Sequence, residues 1–551
     1  MSRSEGSNPS VWSRRGFLAA TSGAVAALAA CSAGGSDSDS LEDMINNPPS
    51  GVTASGFPIA TEPLTLSFMT GRPPGTMDDW NAVASWKKYE DLSGVHIDWG
   101  PVPVASVEER RNLALASGDY PEAMWGPRIS TLDIGKYGEQ GIFVGWRSLI
   151  EKYMPNLSAL MDTFPEIAAG MVFPDGEIYG MPGIQHPDFL ALRYKYKLWV
   201  RADWLDELGL SMPTSTAEYA DYLRAVKAER PGDLDVVIPY GDSYGASGIV
   251  NSLTGSFGVA NRGMTVKNLD VDPDTHELRF YVTTDGYRAL LAYLAGLYAE
   301  GLIAEDVFSK DAARFSSEAR DGVYGSLVTS SPAGAYGGAG ERYTAMPALT
   351  GPTGERSWNY VFSSVIGIGQ FLLTDHTRHP VATARWLDHF YGEEGSKLFF
   401  MGVEGESYRT APDGSVEYLP AITEAEGKTL DAALKPYVTY MGGGYPGVVR
   451  EAYFQGTETV PQGGESAKKM AAGDVLSEVL PEFTFTAEEG ARLASLATDI
   501  ETYVAESRDR FIAGDLSVDA DWEDYRKNLD QMGLSQYMEI QSAAFERIVG
   551  R

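Results

Sequence analysis

The sequence predicts an α/β fold built as more than one lobe, and three observations support this prediction. The chain has 551 residues, which is more than one hydrophobic core usually supports. Hydrophobic residues make up 43% of it, which is enough to form packed cores. Segments with the two-residue period of strands alternate with segments that have helical spacing. That order is typical of helices packed on a parallel sheet.

The first element is a predicted export signal over residues 1–31. Arg14 and Arg15 precede a short apolar stretch that ends in Leu-Ala-Ala-Cys at Cys31, the one cysteine of the chain. Twin arginines favour the Tat route, and the last four residues resemble a bacterial lipobox, so Cys31 would carry the acyl chains, palmitate among them. The alternative is a soluble exported protein with an incidental cysteine. Residues 32–60 are predicted to form a flexible tether, because Ser, Gly and Asp dominate their first part.

The elements after the tether begin with strand, helix, strand and helix. Residues 64–69 alternate apolar and polar side chains, as a half-buried strand does. Residues 80–86 carry apolar side chains at helical spacing, and residues 95–99 read as a second strand. Ser106 and Glu109 have the spacing of a capping box, which predicts a helix start. This order favours a parallel sheet with helices on its faces.

The same pattern returns in the rest of the chain. Ser215 with Glu218 and Thr486 with Glu489 have the spacing of capping boxes, each ahead of an apolar stripe at helical spacing. Residues 285–299 place large apolar side chains on one helical face. Helices are therefore predicted in both halves of the chain.

Composition and motifs exclude several functions. A formal charge of −32 repels phosphate backbones, so nucleic-acid binding is not expected. One cysteine cannot form a Cys-based zinc or iron–sulfur site. His376, His379 and His389 have spacings that fit no metal set and are predicted to be surface residues. The sequence lacks a P-loop, a G-x-S-x-G elbow and an H-E-x-x-H motif, so no catalytic residue, metal site or cofactor is predicted.

Three stretches carry a family resemblance. They are Gly118-Asp119-Tyr120-Pro121-Glu122-Ala123-Met124-Trp125, the segment 176–182 with the segment 198–210, and Gly402-Val403-Glu404-Gly405-Glu406-Ser407-Tyr408. Together they resemble the extracellular solute-binding lipoproteins of family 1, which are related to maltose-binding protein. Within that family the chain is most similar to the long Gram-positive branch of oligosaccharide importers. The resemblance covers nearly all of the chain after about Pro63.

The resemblance implies a two-lobed, periplasmic-binding-protein-like fold of type II. Each lobe would be a mostly parallel sheet flanked by helices, joined to the other by crossing hinge segments. Lobe one would comprise residues 60–185 and 362–437, and lobe two residues 190–355 and 445–551. The third crossing would lie at about 437–445, where glycines can absorb changes in backbone angles.

One departure from the family concerns calcium. Some relatives carry an acidic calcium loop after the helix that follows the first crossing. In residues 229–237 only Asp233 and Asp235 are spaced like ligands of a hard cation, and the rest of a six-oxygen shell is missing. No calcium site is therefore carried over to this chain.

Candidate ligand-binding residues come from the chemistry of sugars. Sugars need aromatic side chains for their C–H faces and polar side chains for their hydroxyls, at the C-terminal ends of strands. Trp125 could instead be a core residue, whereas the loop 239–245 is predicted to be too polar and Gly-rich for the core. The candidates are Trp125, Arg128, Tyr240, Asp242, Tyr244, Trp358, Asn359, Tyr360, Tyr408 and Tyr445.

The function that the resemblance implies is the substrate-binding subunit of an ABC importer. It would be a monomer without catalytic activity that closes its lobes on a carbohydrate ligand and delivers it to the permease subunits. The lipid at Cys31 would be its one attachment to the outer face of the cell membrane. The alternative is a secreted, lipid-anchored, glycan-active enzyme, either a lyase or a glycoside hydrolase.

Overall fold

The computed structural model describes residues 41–243, 245–439, 445–476 and 478–550. The predicted export signal with Cys31 and the first part of the tether lie outside the described residues. The described residues form two larger sheets, which carry helices on their faces, and two separate pairs of strands, so the predicted α/β class is confirmed. We call the first sheet with its helices lobe one, and the second sheet with the helices and the strand pair of residues 190–355 lobe two.

The strands are short, apart from two of nine residues that lie in lobe one. They are β1 (Leu64–Arg72), β2 (Val95–Asp98), β3 (Pro101–Pro103), β4 (Ala123–Trp125), β5 (Met181–Gln185), β6 (Lys197–Arg201), β7 (Ile238–Tyr240), β8 (Leu269–Val271), β9 (Leu278–Phe280), β10 (Tyr324–Thr329), β11 (Tyr343–Ala345), β12 (Val365–Leu373), β13 (Tyr408–Thr410), β14 (Val416–Tyr418) and β15 (Val448–Val449).

The helices range from one turn to 27 residues. They are α1 (Leu41–Asn46), α2 (Ala84–Ser93), α3 (Val107–Ser117), α4 (Thr131–Glu139), α5 (Arg147–Tyr153), α6 (Pro155–Thr163), α7 (Pro165–Ala169), α8 (Leu190–Arg193), α9 (Ala202–Glu207), α10 (Thr216–Glu229), α11 (Ser247–Leu253), α12 (Asp285–Ala299), α13 (Ala312–Arg320), α14 (Pro332–Tyr336), α15 (Pro380–Asp388), α16 (Glu393–Met401), α17 (Pro420–Thr423), α18 (Leu430–Leu434), α19 (Pro461–Ala471), α20 (Ala487–Ala513), α21 (Trp522–Gln531) and α22 (Leu534–Val549).

The two sheets differ in strand direction. The first has the order β15-β5-β12-β4-β1-β2, with β3 beside the end of β1, and only β12 runs against its neighbours. The second has the order β11-β6-β10-β7, and β6 is antiparallel to both neighbours, so this sheet is less parallel than predicted. The reason is topological. β6 and β12 each arrive from the other lobe, so they start at the edge where the neighbouring strands of their sheet end.

Two of the three predicted capping boxes are formed. Ser215 and Thr486 each accept a hydrogen bond from the third helical amide, while the Glu at that position bonds back to the cap. Ser106 makes no such bond, because its hydroxyl donates to the carbonyl of Pro103 at 3.2 Å. The helix predicted over 285–299 is confirmed as α12.

The C-terminal part of the chain contacts both lobes. β15 pairs with β5 in the first sheet, so lobe one continues past the predicted third crossing. The Thr484 hydroxyl donates to the carbonyl of Val172 at 2.7 Å, and the amide of Ala487 donates to Glu139 at 2.8 Å, both in lobe one. Further along, α20 packs on α12 of lobe two. These contacts correct the prediction that residues 445–551 belong to lobe two alone.

The core of lobe one is a cluster of aromatic rings. Trp86 lies at its centre, with the ring centroids of Trp99 at 4.6 Å and Trp386 at 5.9 Å. All three are at most 5% exposed. Strands β1 and β4 and helices α2 and α15 converge on this cluster. Burial of large rings therefore holds the first sheet against its helices.

Buried titratable groups lie at the end of α15. The Asp388 carboxylate accepts hydrogen bonds from the amides of Asn156 and Leu157, at the start of α6. Burial outweighs these donors and raises the pKa of Asp388 to about 6. His389 stacks on the ring of Tyr89 at 4.7 Å, and burial lowers its pKa to about 4. The prediction that His389 is a surface residue was therefore wrong, because aromatic rings cover it.

Asp388 gives the fold a pH dependence with a definite sign. Because the pKa of Asp388 is higher in the folded than in the unfolded state, its contribution to stability should grow as the pH falls from above 6 to below 4. We expect wild type to gain about 2–3 kcal/mol more than Asp388→Asn over that range. Urea titrations of both proteins at several pH values measure the difference. Parallel pH profiles of the two proteins would contradict the assignment.

Candidate ligand-binding site

A cavity of about 740 Å³ lies at the C-terminal ends of the first-sheet strands. Its lobe-one wall is formed by segments that follow β1 and β4 and by the β12 bulge. Its opposite wall comes from the loop before β8 and from the C-terminal helices. The lining includes Pro73, Pro74, Arg128, Thr131, Thr265, Lys267, Gln370, Glu482, Phe483, Glu501, Tyr537 and Gln541. Parts of both lobes therefore enclose one space, where ligands bind in open α/β folds.

A second cavity of about 620 Å³ adjoins the first. Its lining includes Gln185, Lys195, Gln370, Asp431, Tyr445, Tyr453 and Glu458. Gln370 lines both cavities and lies in a bulge of β12, where the register shifts between Ile366 and Phe371. We refer to the two cavities together as the cleft.

Arg128 is held at the cleft by a strained turn. Its φ of 52° is in the left-handed region, where residues other than glycine are uncommon. Buried Arg111 braces this turn, because one of its guanidinium nitrogens donates to the carbonyls of Pro127, at 2.7 Å, and of Arg128. The Arg128 side chain is exposed and has no ion pair or hydrogen bond with any residue in the described ranges. The turn therefore presents a free cation to the first cavity.

Of the other charged groups of the cleft, the two lysines are ion-paired and one glutamate is hydrogen-bonded. Lys267 forms an ion pair with Glu501 at 3.0 Å. The Thr131 hydroxyl donates to Glu482 at 2.5 Å, and burial raises the pKa of Glu482. In the second cavity Lys195 pairs with Glu458 at 3.2 Å. Polar groups therefore alternate with apolar surface, an arrangement suited to hydroxyl-bearing ligands with apolar faces.

Trp125 borders the first cavity, but its ring belongs to the core. The residue is 2% exposed, and its ring centroid lies 5.8 Å from those of Trp86 and Trp99 and 6.2 Å from that of Phe399. A ring enclosed in this way cannot offer its face to a ligand. The prediction of Trp125 as a stacking platform is corrected to its alternative, a core tryptophan.

The first residues of the predicted loop 239–245 are buried. Tyr240 and Asp242 are fully buried, and the Tyr240 hydroxyl donates to Asp242 at 2.6 Å. Neither lines the cleft. The loop was expected to be too polar for the core. The hydrogen bond between the two polar groups compensates for their loss of water, so they can be buried. Tyr244 lies outside the described residues.

The residues before β12 also pack away from the cleft. Trp358 is 2% exposed beside a separate cavity of about 200 Å³. The Asn359 amide donates to the carbonyl of Val259 at 2.8 Å, and Tyr360 packs its ring on Tyr196 at 5.2 Å. None of the three predicted residues lines either cavity. The Asn359 side-chain amide thus helps to fix the approach to β12, whereas the buried indole nitrogen of Trp358 has no hydrogen-bond partner among the described residues.

The two remaining predicted tyrosines differ in position. Tyr408 is 6% exposed in the β13–β14 hairpin and does not line the cleft. Tyr445 lines the second cavity, with its ring stacked on Phe399 at 4.0 Å. Of the ten candidates, the structure therefore brings Trp125 and Arg128 to the first cavity and Tyr445 to the second.

Several cleft residues have no sequence signal. Lys267 and Gln370 lie in irregular segments, and Glu501 and Gln541 lie on long helices among many other charged or polar residues. Glu482 precedes the capping box at Thr486. The alternation of polar and apolar residues that it forms with Phe483 and Phe485 was the one sequence pattern that pointed to this segment. Their shared role depends on packing between segments far apart in the chain.

Comparison with known proteins gives relatives along most of the chain. No model of a protein family matches it. The chain is 28% identical over 514 residues to the fructooligosaccharide ABC transporter substrate-binding protein FusA of Streptococcus pneumoniae, covering 89% of this chain and 91% of that protein. It is 27% identical over 341 residues to lipoprotein LipO of Bacillus subtilis, covering 59% of this chain and 64% of that protein.

The structural comparison agrees with the sequence comparison. FusA in complex with kestose has a TM-score of 0.71 to this structure and is 26% identical, covering 88% of this chain and 99% of that chain. The two-lobed α/β fold expected from the sequence is thereby confirmed.

Proposed function

We infer, from the homology of this chain to extracellular solute-binding proteins of sugar ABC transporters, that it is the substrate-binding subunit of an ABC importer for oligosaccharides. The observation that carries this proposal is the likeness to FusA over nearly the whole of both chains. The cleft adds support, since two lobes enclose it and both aromatic and polar side chains line it. The protein acts by binding and not by catalysis.

The mechanism follows from the position of the cleft. A ligand that contacts lobe one through Arg128 and Gln370 and the opposite wall through Lys267 or Gln541 stabilises the state in which both walls are close. The crossing segments between the lobes absorb the change in backbone angles. The permease subunits recognise the closed form and receive the ligand from it.

Saccharide binding is the direct test. Purified protein is titrated calorimetrically with a panel of oligosaccharides of three to six sugars, kestose and nystose included. A ligand at about 100 times its Kd should raise the free energy of unfolding by about 2.7 kcal/mol. Chromatography of the same mixtures after long incubation should show intact saccharides. Chain cleavage would favour the glycan-active enzyme, and a panel without any binder would contradict the proposal.

The membrane anchor is part of the proposal. None of the helices in the described ranges is long and apolar enough to cross a bilayer. The lipobox at Cys31 and the homology to a lipoprotein support lipid anchoring at the outer face of the membrane. The first described helix, α1, packs on lobe one, where the hydroxyl of Tyr153 donates to the carbonyl of Ile45 at 2.8 Å. The tether would therefore hold lobe one nearer the membrane.

Cys31→Ser should release the protein from the membrane. Two acyl chains anchor a protein stably, and the proposal includes no second attachment of the protein to the membrane. Fractionation of cells that express each form, followed by detection of the protein in membrane and medium, measures the effect. Membrane retention equal to wild type would contradict lipidation at Cys31. Ser32→Ala is the matched control and should stay bound.

A further inference from the structure

We infer that the cleft selects an uncharged oligosaccharide and rejects oligouronates. This inference rests on the proposed function and adds the charge of the ligand to it. It comes from the ionisable side chains that line the cleft and from the partners that each of them has.

The first cavity has no excess of positive charge. Its charged lining consists of two cations, Arg128 and Lys267, and two carboxylates, Glu482 and Glu501. Lys267 is already paired with Glu501 at 3.0 Å. Arg128 is the one cation of this lining without a partner among the described residues, and its exposed side chain lines the cavity. Arg128 is therefore the one cation of the described lining that a ligand carboxylate could reach without breaking an existing ion pair, so a chain of several uronates would find too few counter-ions.

The partly buried carboxylate of the first cavity is the decisive group. Glu482 receives a hydrogen bond from Thr131 at 2.5 Å and has no ion pair with any residue in the described ranges. A carboxylate held this way disfavours a second negative charge nearby, because two like charges in a poorly solvated space repel strongly. A sugar hydroxyl, in contrast, can donate a hydrogen bond to it.

The lining of the second cavity also has no excess of positive charge. Lys195 is the one cation among the described residues of its lining, and Glu458 pairs with it at 3.2 Å. Asp431 adds a further acid to the lining. A uronate here would meet carboxylates and would have to break an existing ion pair to find a counter-ion. The formal charge of −32 on the whole chain opposes approach of an anion as well.

The test compares ligands that differ in charge alone. The tightest neutral binder from the panel of oligosaccharides is oxidised at its primary hydroxyls to carboxylates, which keeps its rings and linkages. Calorimetric titrations of both forms at neutral pH give the ratio of their Kd values. We expect the oxidised form to bind about tenfold more weakly or worse, from the repulsion of like charges. Equal or tighter binding of the oxidised form, or an oligouronate as the tightest ligand of the panel, would overturn the inference while leaving the proposed function intact. A panel without any binder would overturn both.

Variants identify the side chains responsible for the weaker binding of charged ligands. Glu482→Gln and Glu501→Gln each remove a cleft carboxylate, so both should bring the ratio of Kd values closer to one. Glu501→Gln provides the test even where Glu482→Gln fails to fold, since the Glu501 side chain on α20 is 30% exposed. Glu488 is an exposed residue of the same helix outside the cleft, so Glu488→Gln should leave the ratio unchanged.

Arg128→Gln should weaken the binding of the neutral ligand by less than about tenfold, because an amide can still donate to hydroxyls. Ratios unaffected by both cleft variants would overturn the assignment.

Discussion

Replacing Trp125 with alanine is expected to lower the free energy of unfolding of lobe one by about 3–5 kcal/mol. The ring is 2% exposed and lies among Trp86, Trp99, Trp386 and Phe399, so its removal leaves a cavity in the aromatic core. Urea denaturation followed by tryptophan fluorescence and circular dichroism measures the loss. Saccharide affinity of the folded variant should change less than its stability.

The controls for this prediction distinguish a role of Trp125 in the core from a role in ligand binding. Trp125→Phe keeps most of the buried area and should lose less. Leu113→Ala removes an exposed side chain, 59% accessible, and should change stability by less than about 0.5 kcal/mol. The contradicting outcome is a Trp125→Ala protein with normal stability and greatly reduced saccharide affinity. That result would restore Trp125 as a stacking platform.

Arg279→Met is expected to destabilise lobe two by about 3–5 kcal/mol, because it leaves a buried charge without its partner. Arg279 binds Asp270 through two hydrogen bonds of 2.8 Å, and Asp270 is fully buried. The pair joins β8 to β9. Thermal and urea denaturation measure the loss, and adding Asp270→Asn to the variant should recover part of it by removing the charge.

The same variant should also weaken saccharide binding. Asn261 is tied to Val271 by two hydrogen bonds, of 2.7 and 3.1 Å, so the β8–β9 hairpin supports the loop that supplies Lys267 to the first cavity. Arg288→Met is the matched control. Its partner Asp519 is 99% exposed, so that substitution should cost less than about 1 kcal/mol and leave binding unchanged. Equal behaviour of the two variants would contradict the structural role of the buried pair.

The sequence by itself determined the local elements and the fold class of this protein. Capping at Ser215 and Thr486, the helix over 285–299 and the strand that begins at Leu64 all follow from residue spacing and side-chain chemistry within a few positions. These signals are readable because each depends on neighbours in the chain. The two-lobed architecture followed from the resemblance of several such segments in order.

Only the tertiary structure decided which side chains reach the cleft. Trp125 ends β4 and Tyr240 ends β7, yet one fills an aromatic core and the other is bonded to Asp242 beneath α11. Thr131 and Glu482 meet across 351 positions of the chain, and no local pattern predicts that contact. The physical reason is that burial and pairing depend on the elements that pack against a residue. The ends of distant strands and helices form the cleft, so its composition is a property of the packed chain.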